Sequence, residues 1–162
     1  MWFPRELQGA GRHDNPDLYG CIYGALEPLS VVVEALAPFR ASGDLRDSML
    51  VRGGSRLGLS QIDADVDVLD LDDPAVLRRE RLRPSRVATR YRVVTQPVAA
   101  RLYEKHPDVG ALSWWSTLEA SWQNVTVFDR AERRLKLRST AVLTLDHPVV
   151  REAADFLGLR PR

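Results

Sequence analysis

Four prolines, Pro28, Pro74, Pro97 and Pro148, stand where helices would begin, because a first helical turn does not need the amide proton that proline lacks. They divide the chain into short helices separated by strand-like runs. Residues 19–25 (YGCIYGA) predict a strand. Pro28 then opens a helix to about Phe39, whose Leu29, Val32, Val33 and Leu36 form one apolar face with Glu34 off its centre. Residues 56–64 and 66–71 alternate apolar and polar side chains as half-buried strands do. Asp73 and Pro74 start a short helix, and residues 96–106 predict another, capped by Thr95 with Pro97 in its first turn. Residues 111–115, 124–128 and 135–145 predict strands, and a last helix, capped by Asp146, ends at Gly158. Without regular strand-helix alternation the fold class is α+β, a compact mixed sheet with flanking helices. Residues 1–19, rich in Gly, Pro, Asp and Asn, predict an irregular arm or a ligand-facing loop.

The chain has 162 residues, 44% of them apolar, which suits a single domain spanning 1–162 with one sizeable core. Its net charge of +1 gives no whole-molecule field towards nucleic acid or an anionic membrane. The one cysteine, Cys21, excludes an internal disulfide and a multi-cysteine metal site, as in a reducing cytosol. The N-terminus offers no apolar signal-peptide core, and no apolar run is long enough to span a bilayer. A soluble, cytoplasmic protein with no membrane association is the expectation.

Several motifs have ordinary explanations. Gly9-Ala10-Gly11 begins like a dinucleotide fingerprint, but Asp14 stands where the third glycine belongs and no strand precedes it. Asp63, Asp65 and Asp67 copy the start of a calcium loop, yet Val68 replaces the turn glycine and Pro74 the final Glu, so a strand explains their spacing. Residues 78–92, bounded by Arg78 and Arg92, hold seven arginines opposed only by Glu80. They form either a solvated face or a grip on phosphates, and direct nucleic-acid binding is the less favoured of the two. His13, His106 and His147 lack ligand-like spacing, so no metal is expected. A Cys21–His pair competes with the default of an inert thiol buried in a strand.

Arg12, Tyr23 and Glu34 are spaced eleven apart and fall on a glycine-flanked loop, a strand and the following helix. Singly, each has a bland reading as a surface arginine, a core tyrosine and a solvated glutamate. Together, Gly11-Arg12-His13-Asp14-Asn15-Pro16, then Leu18-Tyr19-Gly20-Cys21-Ile22-Tyr23 and the helix reaching Glu34, resemble the first half of the RES domain family. That family is named for an Arg, a Glu and a Ser. The serine corresponds to Ser116 in Ala111-Leu112-Ser113-Trp114-Trp115-Ser116, and residues 124–129 are similar to the family's closing strand. The resemblance covers roughly residues 11–130.

The resemblance implies an ADP-ribosyltransferase-like fold and a toxin that consumes NAD+ by hydrolysis, phosphorolysis or transfer of ADP-ribose. Its implied partner is an Xre-type helix-turn-helix antitoxin, and a homo-oligomer is also implied. Arg12 would hold the pyrophosphate with its planar fork, Tyr23 would lay its ring against nicotinamide or ribose, and Ser116 would hydrogen-bond the carboxamide or ribose. Glu34 would stabilise positive charge developing at the anomeric carbon. The acceptor stays open between water, inorganic phosphate and a protein side chain, with a mild preference for a small acceptor. Family members commonly carry an earlier strand that adds an arginine and an aromatic to the pocket. Only eleven residues precede Arg12 here, so Arg5 or Trp2 would have to substitute. The rivals are a protein ADP-ribosyltransferase, a non-catalytic binding module built on residues 78–92, and a scaffold whose incomplete pocket has lost catalysis.

Overall fold

The computed structural model describes Phe3 and residues 5–162; Trp2 lies outside the described residues. In chain order the elements are β1 (Cys21–Ala25), α1 (Pro28–Leu36), β2 (Asp44–Leu45), β3 (Val51–Arg52), β4 (Ser55–Arg56), β5 (Gly58–Ala64) and β6 (Val68–Asp70). They continue with α2 (Pro74–Arg79), α3 (Pro84–Val87), α4 (Arg92–Lys105), β7 (Ala111–Trp115), β8 (Gln123–Phe128), β9 (Leu135–Val142), α5 (Pro148–Leu157) and β10 (Arg160–Pro161). Backbone contacts divide the chain into two units, residues 1–24 with 64–135, and residues 25–63 with 136–162.

The first unit is built on a four-stranded sheet of order β1-β8-β7-β6. It is mixed, because β6 runs parallel to β7 while β7 and β8 are antiparallel, with Ser113 opposite Val125. Helices cover it as expected for an α+β fold. Leu69, Leu112, Trp114 and Phe128 from the strands are buried with Val76, Leu77, Val87, Ala99 and Leu102 from α2, α3 and α4. In the second unit, α1 packs on α5, and Val32, Val33 and Leu36 of the first helix and Val150, Ala153 and Leu157 of the second are buried. There β10 pairs in parallel with β2, and β5 pairs with β9.

Local rules account for most helix ends. Asp73 Oδ1 accepts from Ala75 N at 2.7 Å, the cap foreseen for α2. That helix closes with Leu82 N donating to Leu77 O at 2.9 Å and Arg81 N to Arg78 O at 3.1 Å, a paired capping motif that puts Arg81 in the left-handed region at φ 52°. Gly158, at φ 71°, ends α5. Two expected caps are corrected. Helix α4 begins at Arg92, not Gln96, and Thr95 lies inside it, where its hydroxyl donates to Arg12 O at 2.5 Å. Pro97 is therefore interior and costs the helix one internal hydrogen bond. At α5 the cap residue is His147, and Asp146 pairs with Arg151 at 2.5 Å instead. Helix α1 stops at Leu36, and a 3-10 turn carries the chain through Phe39 to Ser42. The strand foreseen over 66–71 is shorter, at Val68–Asp70. Of the aspartates that mimic a calcium loop, Asp63 pairs with Arg138 and Asp67 with Arg134.

One buried charge ties α2 to α4. The Glu80 side chain is fully buried and meets Lys105 Nζ at 2.8 Å, His106 Nε2 at 3.1 Å, Arg79 Nε at 3.3 Å and Arg101 Nη1 at 3.5 Å. Burial pushes its carboxyl up, but hydrogen bonds from Lys105, Arg79 and His106 outweigh that and hold it below the usual range. The stability this supplies is present above the ordinary glutamate pKa and is lost as pH falls through the lowered one. Glu80→Gln leaves several half-exposed cations around a neutral amide. It is expected to lower unfolding stability in urea by about 3 kcal/mol, with Glu80→Ala no better.

Candidate active site

Residues 9–15 form a loop that two sets of partners hold in place. Inside it, Asp14 Oδ2 accepts from Gly9 N at 2.8 Å and Gly11 N at 2.7 Å. Asp14 Oδ1 accepts from the Tyr23 hydroxyl at 2.6 Å, and the Cys21 thiol approaches it at 3.5 Å. Burial would push Asp14 up, but the bonds from Tyr23, Gly9 and Gly11 outweigh it and hold the carboxyl below its usual range. Asp14 is thus a buried anion satisfied almost wholly by neutral donors. A Cβ on Gly11 would stand 2.5 Å from both Asp14 Oδ1 and Tyr23 Oη, so this glycine is required by close approach. From outside, α4 clamps the loop. Gln96 Nε2 donates to Gly9 O and Gly11 O at 2.9 Å each, Thr95 to Arg12 O, and Arg92 Nε to Ala10 O at 3.0 Å.

Arg12 leaves this loop with Nη1 donating to Val87 O at 2.6 Å and Thr89 O at 2.8 Å, and its guanidinium carbon stands 5.8 Å from the Trp114 ring centroid. Trp114 is the hub. His13 meets it edge-on at 4.7 Å and Tyr23 at 6.5 Å with planes 89° apart. Trp114, a buried member of the core, also meets the Arg12 loop, and Trp115, partly buried, packs against the same core cluster. His13 Nδ1 lies 2.8 Å from Thr126 Oγ1, and burial first, then the Arg12 charge, push its pKa down to about 3, so the ring is neutral. The Tyr23 hydroxyl also accepts from His13 N at 2.9 Å. Both of its hydrogen-bonding roles are taken, burial raises its pKa, and its half-exposed ring is what it can offer a ligand.

The sequence-derived residues fare differently. Arg12 and Tyr23 meet around Trp114 in the first unit. Ser116 follows β7 in the same unit, 1% exposed, with its N donating to Trp122 O at 2.8 Å and its Oγ accepting from Leu118 N at 3.1 Å. Glu34 belongs to the second unit, on the exposed side of α1. Arg5, the suggested extra pocket arginine, donates from both Nε and Nη2 to one oxygen, Asp129 Oδ2, at 3.1 and 2.5 Å. Cys21 is buried with its thiol pushed up to about 12 and sits by Asp14 rather than a histidine, which favours the inert reading. The reading of Asp14 as a failed glycine position and of His13 as an isolated histidine missed their part in the site. The adjacency Arg12-His13-Asp14 was the available signal. Among the described residues no group of His, Cys, Asp or Glu could hold a metal ion, and no helix is long and apolar enough to cross a membrane.

A family model described as RES domain matches residues 1–148. A chain in the crystal structure of the M. tuberculosis MbcT-MbcA toxin-antitoxin complex has the same fold, with a TM-score of 0.65 at 23% sequence identity, over 97% of this chain and 79% of that one. No curated protein matches this chain.

His13 gives the site a pH signature. Its folded pKa, about 3, lies below the ordinary 6.5, so its stabilisation is complete above pH 6.5 and declines as pH falls from there towards 3. Thermal melts between pH 7 and 5 are expected to show a downward slope that His13→Gln removes. Gly11→Ala, which forces a methyl against Asp14 and Tyr23, is expected to cost about 1–3 kcal/mol.

Proposed function

The chain belongs to the RES domain family, and from that premise we propose that it is a toxin that consumes NAD+ by breaking the nicotinamide–ribose bond. The observation that carries the proposal is the joining of Arg12, His13 and Tyr23 around Trp114 by a loop locked on Asp14. It supplies a permanent cation and, on the same buried Trp114 hub, the half-exposed ring of Tyr23, a combination suited to a pyrophosphate linked to flat rings. The Gly9 and Gly11 amides already hold Asp14, so in this reading the Arg12 side chain, not the loop backbone, takes the phosphates.

The bond from ribose C1′ to the nicotinamide nitrogen breaks with its electron pair leaving on nicotinamide, which departs neutral. The ribose then carries oxocarbenium-like charge, which Glu34 stabilises, and an acceptor oxygen bonds to C1′ as it loses its proton. Water as acceptor makes the protein a glycohydrolase, and inorganic phosphate makes it a phosphorylase. Ser116 is given hydrogen bonding to the carboxamide or ribose, not nucleophilic attack. The only histidine of the Trp114 cluster is neutral and bonded to Thr126. An antitoxin partner, of the Xre helix-turn-helix type, is part of the proposal. It is supported by the family and by the toxin-antitoxin complex in which the structural neighbour was crystallised.

Purified protein incubated with NAD+, with and without phosphate, is expected to release nicotinamide, and chromatography of the second product separates ADP-ribose from its 1″-phosphate. Glu34→Gln is expected to slow release by about 100-fold or more. Tyr23→Phe keeps the ring but removes the hydroxyl that donates to Asp14 and accepts from His13 N, so it is expected to lose part of the turnover, and Tyr23→Ala nearly all of it. Release untouched by Glu34→Gln would refute the assignment of that carboxylate. NAD+ loss that requires an added protein would replace the reading with protein ADP-ribosylation.

A further inference from the structure

Between Glu80 and Glu104 the chain has six arginines and no carboxylate, in a protein whose overall charge is only +1. Some arginines elsewhere reach carboxylates, as Arg56 does on Asp47 and Arg134 on Asp67, while the scattered Arg40, Arg46, Arg52 and Arg133 form no ion pair among the described residues. Arg81, Arg83, Arg86 and Arg90 are likewise exposed and form no ion pair among the described residues, but they crowd into one short stretch with no carboxylate of its own. Tyr91 and Val93 follow directly, 64% and 80% exposed, the second the most exposed large apolar side chain among the described residues. We propose that residues 81–93 are a docking surface for an acidic protein segment that carries apolar side chains.

Three observations converge on that occupant. Arg81 is the one described non-glycine residue at positive φ, at the position after a helix where glycine is the default. An exposed arginine held in a conformation that its Cβ disfavours indicates that the side chain, not the turn, is what the position requires. Next, planar guanidinium groups pair bidentately with carboxylates, and this stretch has no lysine. Nucleic acid offers phosphates to the same arginines but nothing for Val93. The near-neutral molecule also lacks the long-range field that steers polyanions, so an acidic peptide with apolar side chains is the better match. Finally, the surface is fastened to the candidate active site. Arg12 Nη1 bonds to Val87 O and Thr89 O, and Arg92 Nε bonds to Ala10 O. A segment seated on residues 81–93 therefore lies against the backbone that positions Arg12. The proposal adds the chemistry of the partner to the reading above, and does not depend on NAD+ turnover.

The test is fluorescence anisotropy of the full chain against three labelled probes: a Glu-rich peptide with interspersed Leu, poly-Glu of the same charge, and single-stranded DNA of the same charge. The Glu/Leu peptide is expected to bind most tightly and to weaken with salt. The triple variant Arg83→Glu, Arg86→Glu, Arg90→Glu is expected to lose about tenfold or more of that affinity, and Val93→Ser a smaller part. Arg81→Gly separates binding from folding, because it is expected to raise the melting temperature while it weakens the peptide. Tighter binding of DNA than of peptide, no peptide binding at low salt, or affinity unchanged by the triple variant each overturns the proposal. Nicotinamide release is followed in the same samples. Peptide binding without turnover would reject the enzymatic reading and leave the docking surface standing.

Discussion

A carboxylate buried with no cation in contact among the described residues sets the geometry of the loop that carries Arg12. Asp14 is balanced by two backbone amides, a phenol and a thiol. Each of those donors belongs to a group that the site needs in a fixed place. The amides set the path of the chain on either side of Arg12, the phenol sets the plane of Tyr23, and the thiol marks where β1 enters the sheet. Because all four bonds converge on one small group, the loop has few ways to rearrange that do not leave a buried anion short of donors, and that penalty is large. The neutral state of His13 follows the same logic: burial and the neighbouring Arg12 charge leave no room for a second cation, so the ring is held by Thr126 and Trp114.

Elements governed by near neighbours were legible in the sequence. The alternating and β-branched runs at β5, β7 and β8, the apolar stripe of α1, the Asp73 cap and the Gly158 stop depend on residues a few positions apart, and all are present. The two misread caps have different causes, one a long-range contact and one a pair five residues apart. Thr95 has the chemistry of a cap, but its hydroxyl reaches Arg12 O, 83 residues earlier, and the helix is free to start a turn sooner. Asp146 was drawn off by Arg151. The mixed sheet with flanking helices was foreseen as a class, while its strand order β1-β8-β7-β6 brings together segments that no local pattern connects.

The site was legible by type more than by arrangement. Arg12 and Tyr23 were named from their surroundings and meet around Trp114. Their fasteners were missed, because Asp14 and His13 act through contacts with Tyr23, Cys21 and Thr126 that spacing along the chain does not reveal. Arg5, named with Trp2 as a substitute for the family's extra pocket residues, pairs with Asp129. Glu80 shows the reverse case: a lone acid in an arginine-rich stretch looked like a minor correction to its charge, yet its burial among Lys105, His106, Arg79 and Arg101 makes it the joint between two helices.

The clamp on the Arg12 loop has a consequence for synthesis. Gln96 grips Gly9 and Gly11 across 87 and 85 residues of chain, and the Trp114 hub comes later still. A nascent chain that has exposed Arg12, Tyr23 and Glu34 therefore has the Asp14 lock but neither the α4 clamp nor the Trp114 hub. Ordering of the loop must wait for α4 and β7 to leave the ribosome, since contacts of such long sequence separation form only after the intervening chain is available to close. The protein thus acquires the geometry of this loop late in its own translation, and truncated products that stop short of β7 carry Arg12 and Tyr23 without the Trp114 contacts that bring them together.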